Sequence, residues 1–288
     1  MMQDICNFIA VATDTPQEFL EESHLGGGCI NEAKKLVTTA GNWFVKLNTS
    51  DFADIFSVEA DALEELSQTQ TIRVPKPIVH GISKGKAFLV LEYILLESAK
   101  PDSQAKAGEQ LARLHQHTAS QFGWKQDNVI GATLQVNRWN DSWIDFYREH
   151  RLQYQFDLAK RNGRTFAGAD VLLDGLDSFF VDYEPEPSLL HGDLWGGNMS
   201  FDVQGNPVIY DPATYYGDRE TDIAFTEMFG GFSPEFYQAY DQAWPLDSGF
   251  SIRKELYNLY HYLNHYNLFG GGYANTAQSI ITRLIAHL

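Results

Sequence analysis

Basic residues are scarce in this sequence. Lys plus Arg number 21 against 38 Asp plus Glu, a formal charge of −17 over 288 residues. Nucleic acid and anionic membrane would both repel such a chain, which argues against them as partners. A cationic substrate suits the acidic balance, and solubility alone also accounts for it. Cysteine is nearly absent: Cys6 and Cys29 are the whole complement. Two cysteines cannot build a disulfide framework, and reducing cytosol is the simplest compartment. The start, MMQDICNFIAVATDTPQEF, lacks the basic region followed by an apolar stretch that marks a signal peptide. Long apolar runs are missing too, and nothing approaches the roughly 18 consecutive residues of a spanning helix. There is no internal repeat and no low-complexity segment. The expectation is a soluble, cytoplasmic, globular protein. With 44% apolar and 14% aromatic residues, it has core enough for one large domain or two lobes.

What is present begins with mixed sheet and helix. KKLVTTAGNWFVKLN (34–48) reads as two strands around a turn at Ala40-Gly41-Asn42. DFADIFSVEADALEEL (51–66) has apolar residues at a helical period, with Asp51 as the expected N-cap. The two prolines of RVPKPIVHG predict an extended connection. KAFLVLEYILL (86–96) reads as a buried strand that exits at Glu92-Tyr93. Beyond it the character changes. SQAKAGEQLARLHQHT is helical, as are most of 139–161 and 166–181. Short strands are expected at SLLHG (188–192) and NPVIYD (206–211), and helices dominate from 220 onward. The change near residue 96 predicts a sheet-rich lobe over 1–95 and a larger helical lobe over 96–288.

Several short stretches carry chemistry. Gly26, Gly27 and Gly28 precede a strand, where backbone amides can point at phosphate oxygens; a flexible turn is the other reading. Lys46 ends the apolar WFVK, as a nucleotide-binding lysine does, or it is a surface lysine. Glu59 on the next helix is placed to pair with it and fix the ammonium against phosphates, or it is a helix-surface residue. HGDLWGGN (191–198) has the spacing H-x-D-x-x-x-x-N of phosphotransferase catalytic loops. In that pattern Asp193 takes the proton of the attacking hydroxyl and the Asn198 carbonyl ligates a metal. Asp211, at the end of VIYD, is a second hard-oxygen ligand, which suits Mg²⁺. The order of these pieces along the chain is more specific than any one of them.

The chain resembles the fructosamine kinase (ketosamine 3-kinase) family, within the aminoglycoside and choline phosphotransferase branch of kinase-like folds. Four segments carry the resemblance: GGGCINEA (26–33), HGDLWGGN (191–198), DPATYYGDRETDIAF (211–225) and YNLYHYLNHYNLFGGGY (257–273). It implies an α+β, bilobal protein-kinase-like fold, with a small antiparallel-sheet N-terminal lobe and a mainly helical C-terminal lobe. It implies ATP-dependent phosphorylation of the sugar 3-hydroxyl of ketosamines, the adducts left when a reducing sugar glycates an amine, and hence a deglycation role. ATP and Mg²⁺ are the cofactors it implies, and a small-molecule or protein-bound ketosamine is the substrate. By resemblance Asp193 is the base, Asn198 and Asp211 the metal ligands, and Lys46 with Glu59 the phosphate-positioning pair. LEYI (91–94) is the hinge, where the Glu92 carbonyl and the Ile94 amide meet adenine. Trp195 is an aromatic face for the sugar, with core packing as its other reading. Asp218 is a further candidate for substrate contact, and Asp222 is expected to clamp the catalytic-loop backbone.

The sequence departs from the family in two places. Gly196 stands where the family usually has Ser, and the glycine loop lacks the protein-kinase G-x-G-x-x-G spacing. Two other functions stay open at this level. One is a related kinase acting on an aminoglycoside, choline or homoserine hydroxyl; the other is a nucleotide-binding scaffold without activity. Cys29 follows the three glycines. A loop that binds anions through its amides would favour the thiolate, so Cys29 is expected to be reactive and ATP-protected, and able to join two subunits in a redox-dependent dimer. An inert, buried cysteine is the alternative.

Overall fold

A computed structural model describes residues 1–26 and 31–288. Gly27, Gly28 and Cys29 therefore lie outside the described residues, and with them most of the phosphate-loop expectation and the cysteine-linked dimer. The chain divides into two compact units, Met1–Ser103 with Met199–Pro212, and Gln104–Asn198 with Ala213–Leu288.

The first unit is organised by a five-stranded antiparallel sheet. Its helices and strands run α1 (Met2–Thr13), β1 (Phe19–His24), β2 (Glu32–Thr38), β3 (Gly41–Thr49), α2 (Ala53–Gln68), β4 (Pro77–Ser83) and β5 (Lys86–Glu92). The spatial order is β1-β2-β3-β5-β4. Alternation along the strands decides which helix each residue meets. Val45 and Leu47 of β3, with Phe88 and Val90 of β5, join Ile5, Cys6 and Ile9 of α1 in one buried cluster. Lys46 and its cross-strand partner Leu89 point to the other face, where α2 packs. Covering on both faces is why Ala87–Leu91 reads as an unbroken apolar run. The strands Met199–Asp202 and Pro207–Ile209 pair with each other, and the first also pairs with Leu96–Glu97. This hairpin delivers Asp211 to the first unit.

Some local expectations change. Asp51 lies inside a 3₁₀ turn, Ser50–Phe52, and Phe52 stands at the N-cap of α2 without a side-chain hydrogen bond. The proline-containing connection becomes strand at Pro77, where a missing N–H at the first strand position costs no interior ladder bond. The strand expected over 86–96 ends at Glu92. Helix α1 was not anticipated, although Ile5, Cys6 and Ile9 follow a helical spacing.

The second unit is mainly helical. Trp143–Tyr147, a π-helical turn Arg148–Gln153 and Tyr154–Arg161 follow one another without a break. The expected helix at 166–181 is Ala169–Asp174 followed by a 3₁₀ segment, Leu176–Phe180. Small antiparallel pairs join Ser188–Leu190 to Tyr215–Gly217 and Asn128–Ile130 to Thr133–Gln135. Near the C-terminal end, Phe250–Phe269 packs against both Glu220–Thr226 and Tyr273–Ile285. Arg253 on the long helix makes a two-pronged pair with Glu220, Nε to Oε2 at 2.7 Å and Nη2 to Oε1 at 3.0 Å. Both residues are buried, and the guanidinium also lies 3.7 Å from the Tyr183 ring centroid. Truncating one partner strands the other charge in the interior. Arg253→Ala is therefore expected to lower unfolding stability by roughly 3–5 kcal/mol. Urea denaturation checks this, and an unchanged midpoint would contradict it.

Candidate active site

Two carboxylates of the first unit converge on the Lys46 ammonium group. Lys46 Nζ lies 2.5 Å from Glu59 Oε1 and 2.6 Å from Asp211 Oδ1. Lys46 reaches them because it sits on the α2 side of β3, and Glu59 faces it from that helix. Burial works against the lysine charge, and the Asp211 and Glu59 carboxylates outweigh it, holding the pKa above the usual lysine value. Lys46 is therefore a fixed cation, as a phosphate-positioning group must be. Asp211 has a φ of 58°, a left-handed conformation that aspartate tolerates better than most residues.

Glu92 ends β5, where its amide donates to the Lys76 carbonyl at 2.8 Å. Its carboxylate is occupied by Arg73 at 2.7 Å, so the hinge expectation for Glu92 concerns its backbone alone. Ile94 follows β5 and Gly26 follows β1, both outside regular structure.

In the second unit the HGDLWGGN loop follows the strand Ser188–Leu190. Gly192 has a φ of 82°, and a Cβ there would run into the Ala213 carbonyl, so only glycine fits. The loop backbone is gripped by Asp222, whose Oδ2 accepts from the His191 amide at 2.7 Å and whose Oδ1 accepts from Gly192 at 2.9 Å. Asp222 thus acts as the expected clamp. Burial disfavours its charge, but hydrogen bonding from His115 and the nearby imidazoles outweighs that and keeps the carboxyl below its ordinary pKa. Asn198 closes the loop. Its Nδ2 donates to the Asp193 carbonyl at 2.8 Å and to Asp193 Oδ2 at 3.1 Å. With its nitrogen turned to Asp193, Asn198 has Oδ1 as its atom for a cation.

Trp195 is 37% exposed, which sets aside its reading as core packing. Its ring meets Phe229 at 5.8 Å and 72°. It also folds over Gly197, where any Cβ would collide with the indole. Gly196 is different: a Cβ there would meet only Phe232, at 3.9 Å, so the serine usual in the family would fit without strain. Asp218 is buried and accepts from Tyr183 at 2.9 Å, Tyr257 at 2.5 Å and the Glu220 amide at 2.9 Å. Both its oxygens are engaged by the protein. Residues that sequence reasoning passed over include Phe229 beside Trp195, and His115 and Tyr240 beneath Asp222. His115 offered a signal, as a lone polar residue ending the apolar stripe of Ser103–His115.

The family model for fructosamine kinases matches residues 1–287. The chain belongs to the fructosamine kinase family. A Synechocystis relative named "Probable ketoamine kinase" is 48% identical over 284 residues, 98% of this chain and 96% of that protein. The chloroplastic protein-ribulosamine 3-kinase of Arabidopsis thaliana is 43% identical, over 89% of this chain and 80% of its own length. A solved structure from Haemophilus somnus, whose name contains fructosamine-3-kinase, superposes with a TM-score of 0.90 at 32% identity, covering 97% and 96% of the two chains. Choline kinase LicA from Streptococcus pneumoniae, at 15% identity with coverage of 99% and 98%, has a TM-score of 0.65 and shares the protein-kinase-like fold. This fructosamine kinase family member is an enzyme that transfers phosphate to a hydroxyl group. Among the described residues no helix is long and apolar enough to cross a membrane.

Proposed function

We propose that this enzyme uses ATP to phosphorylate the 3-hydroxyl of the sugar in ketosamines, both small-molecule and protein-bound, and so serves in deglycation. The observation that carries this reading is the near full-length likeness to the Arabidopsis protein-ribulosamine 3-kinase. Asp193 is the base that takes the hydroxyl proton. Lys46, held by Glu59, orients the nucleotide phosphates, and Gly26, Gly27 and Gly28 are the residues assigned to phosphate binding. The Glu92 carbonyl and the Ile94 amide meet adenine. The nucleotide lobe is assigned to residues 1–95 and the catalytic and substrate lobe to 96–288, of which 96–103 and 199–212 belong to the first compact unit. Asn198 and Asp211 supply hard oxygen donors of the kind Mg²⁺ takes alongside substrate phosphates. When bound, the metal neutralises charge on the transferred phosphoryl group. Trp195 offers its exposed face to the sugar. Asp218, enclosed by tyrosines, shapes this region from within the protein. A cytoplasmic setting fits a chain with two cysteines.

Substrate choice tests the proposal. ATP turnover is measured in parallel with ribulosyl-lysine, fructosyl-lysine, choline and an aminoglycoside. The ketosamines are expected to be turned over far better than the other two. Preferential turnover of choline or the aminoglycoside would overturn the assignment.

A further inference from the structure

The stretch RVPKP (73–77) has no part in the chemistry proposed above, yet within the first unit it is tied to two places at once. Arg73 Nη2 donates to Glu92 Oε1 at 2.7 Å, and Nη1 donates to Asp202 Oδ2 at 2.9 Å. Lys76 completes the contact with Glu92. Its amide donates to Glu92 Oε2 at 3.3 Å, and its carbonyl accepts from the Glu92 amide at 2.8 Å. Pro75 and Pro77 have no N–H, so Lys76 carries the one amide of 75–77, and a following proline keeps it extended beside the end of β5.

The other end of the guanidinium is anchored in the interior. Asp202 is 3% exposed. Its Oδ1 accepts from the Gln204 and Asn206 amides, both at 2.9 Å, and its Oδ2 accepts from Asn206 Nδ2 at 3.3 Å. Burial disfavours the carboxylate, but these donors and Arg73 outweigh it and keep the group below its ordinary pKa. The backbone of residue 73 meets the same hairpin, its carbonyl accepting from the Ile209 amide at 3.0 Å. Arg73 thus hangs from a fixed turn and reaches out to Glu92, with both of those side chains exposed. An exposed ion pair adds little to stability. What this one does is hold a position: the backbone and the side chain of Glu92 are both tied where β5 ends. The next residue is held as well, since the Lys35 ammonium of β2 lies 4.8 Å from the centroid of the Tyr93 ring.

We propose that Arg73 is a positioning residue for the adenine of ATP. By tethering Glu92 to the Asp202 turn, it holds the hinge carbonyl where the adenine 6-amino group donates. The proposal rests on the reading of Glu92 and Ile94 as the hinge.

The test compares the KM for ATP with the KM for purine riboside triphosphate, which lacks only the 6-amino group. The parent, Arg73→Ala, Glu92→Gln and the double variant are measured. Glu92→Gln keeps the backbone carbonyl and removes the charge that Arg73 holds. In the parent, ATP is expected to be favoured about three- to tenfold, the worth of one hydrogen bond. In Arg73→Ala the KM for ATP is expected to rise by about three- to tenfold, while kcat and the KM for the analogue change by no more than about twofold. Glu92→Gln should show the same rise, and the double variant no more than either single one, because both cut one link. A parent that does not distinguish the two nucleotides would fail the hinge reading, and the proposal with it. A parent that does, with variants that keep its preference, would overturn the proposal and leave the hinge reading standing. So would losses that add in the double variant, or a fall in kcat alone. Should Arg73→Ala fail to fold, Glu92→Gln carries the same comparison with a side chain of the same shape.

Discussion

Asp193→Asn is expected to abolish measurable phosphoryl transfer while ATP still binds. The amide is nearly the size of the carboxylate but cannot take the hydroxyl proton, and general-base catalysis typically supplies ~10²–10⁴-fold. The loop should survive the change. Asn198 Nδ2 keeps its bond to the backbone carbonyl of residue 193, and Asp222 keeps its hold on the amides of His191 and Gly192. Steady-state kinetics give kcat, and titration calorimetry gives nucleotide affinity. Near-parental turnover would remove Asp193 from the base role. Loss of ATP binding together with turnover would point to a structural role instead.

Asp211→Asn is the second large effect. Asparagine is the substitution to use because it accepts the left-handed backbone at this position, where φ is 58°. Alanine would add strain to the loss of charge. Lys46 keeps Glu59 at 2.5 Å in the variant, so the ammonium is still held from one side. What disappears is the anionic oxygen assigned to Mg²⁺. A loss of about 10²–10³-fold in kcat is expected, the scale for removing one charge-stabilising group from a phosphoryl or acyl transfer site. The remaining activity should need a higher Mg²⁺ concentration. Initial rates across a Mg²⁺ series provide the check, alongside thermal unfolding to confirm an intact fold. A Mg²⁺ dependence matching the parent would contradict the ligand assignment.

These residues were visible in the sequence for a physical reason. The loop needs glycine where the backbone turns left-handed, as at Gly192, and where an indole lies over it, as at Gly197. It needs an acid and an amide at fixed separation because Asn198 reaches back to Asp193. Such constraints are local and leave a spacing that can be read. The same holds for α2, whose periodicity was clear because one of its faces is buried. Other features were not legible. The α1 helix fell in a stretch without a capping residue, since Met1 precedes it with no side-chain cap. The return of residues 199–212 to the first unit depends on the Leu96–Glu97 pairing, two residues too short to leave a pattern. His115 lies more than a hundred positions from its partners Asp222 and Tyr240. Nothing in one sequence ties a histidine at a helix end to a tyrosine on another helix. Trp195 was ambiguous for a different reason: an aromatic in a glycine-rich loop reads equally as core or as surface until its exposure is known.

The position of the transferred phosphate bears most directly on the function proposed here. Fructosyl-lysine or ribulosyl-lysine is incubated with the enzyme, ATP and Mg²⁺, and the product is analysed by phosphorus–proton correlation NMR. The phosphorus signal should couple to the proton on carbon 3 of the sugar, and the product should then break down to release the free amine. A phosphate on any other carbon, or an unmodified ketosamine under conditions where another hydroxyl acceptor is turned over, would contradict the account.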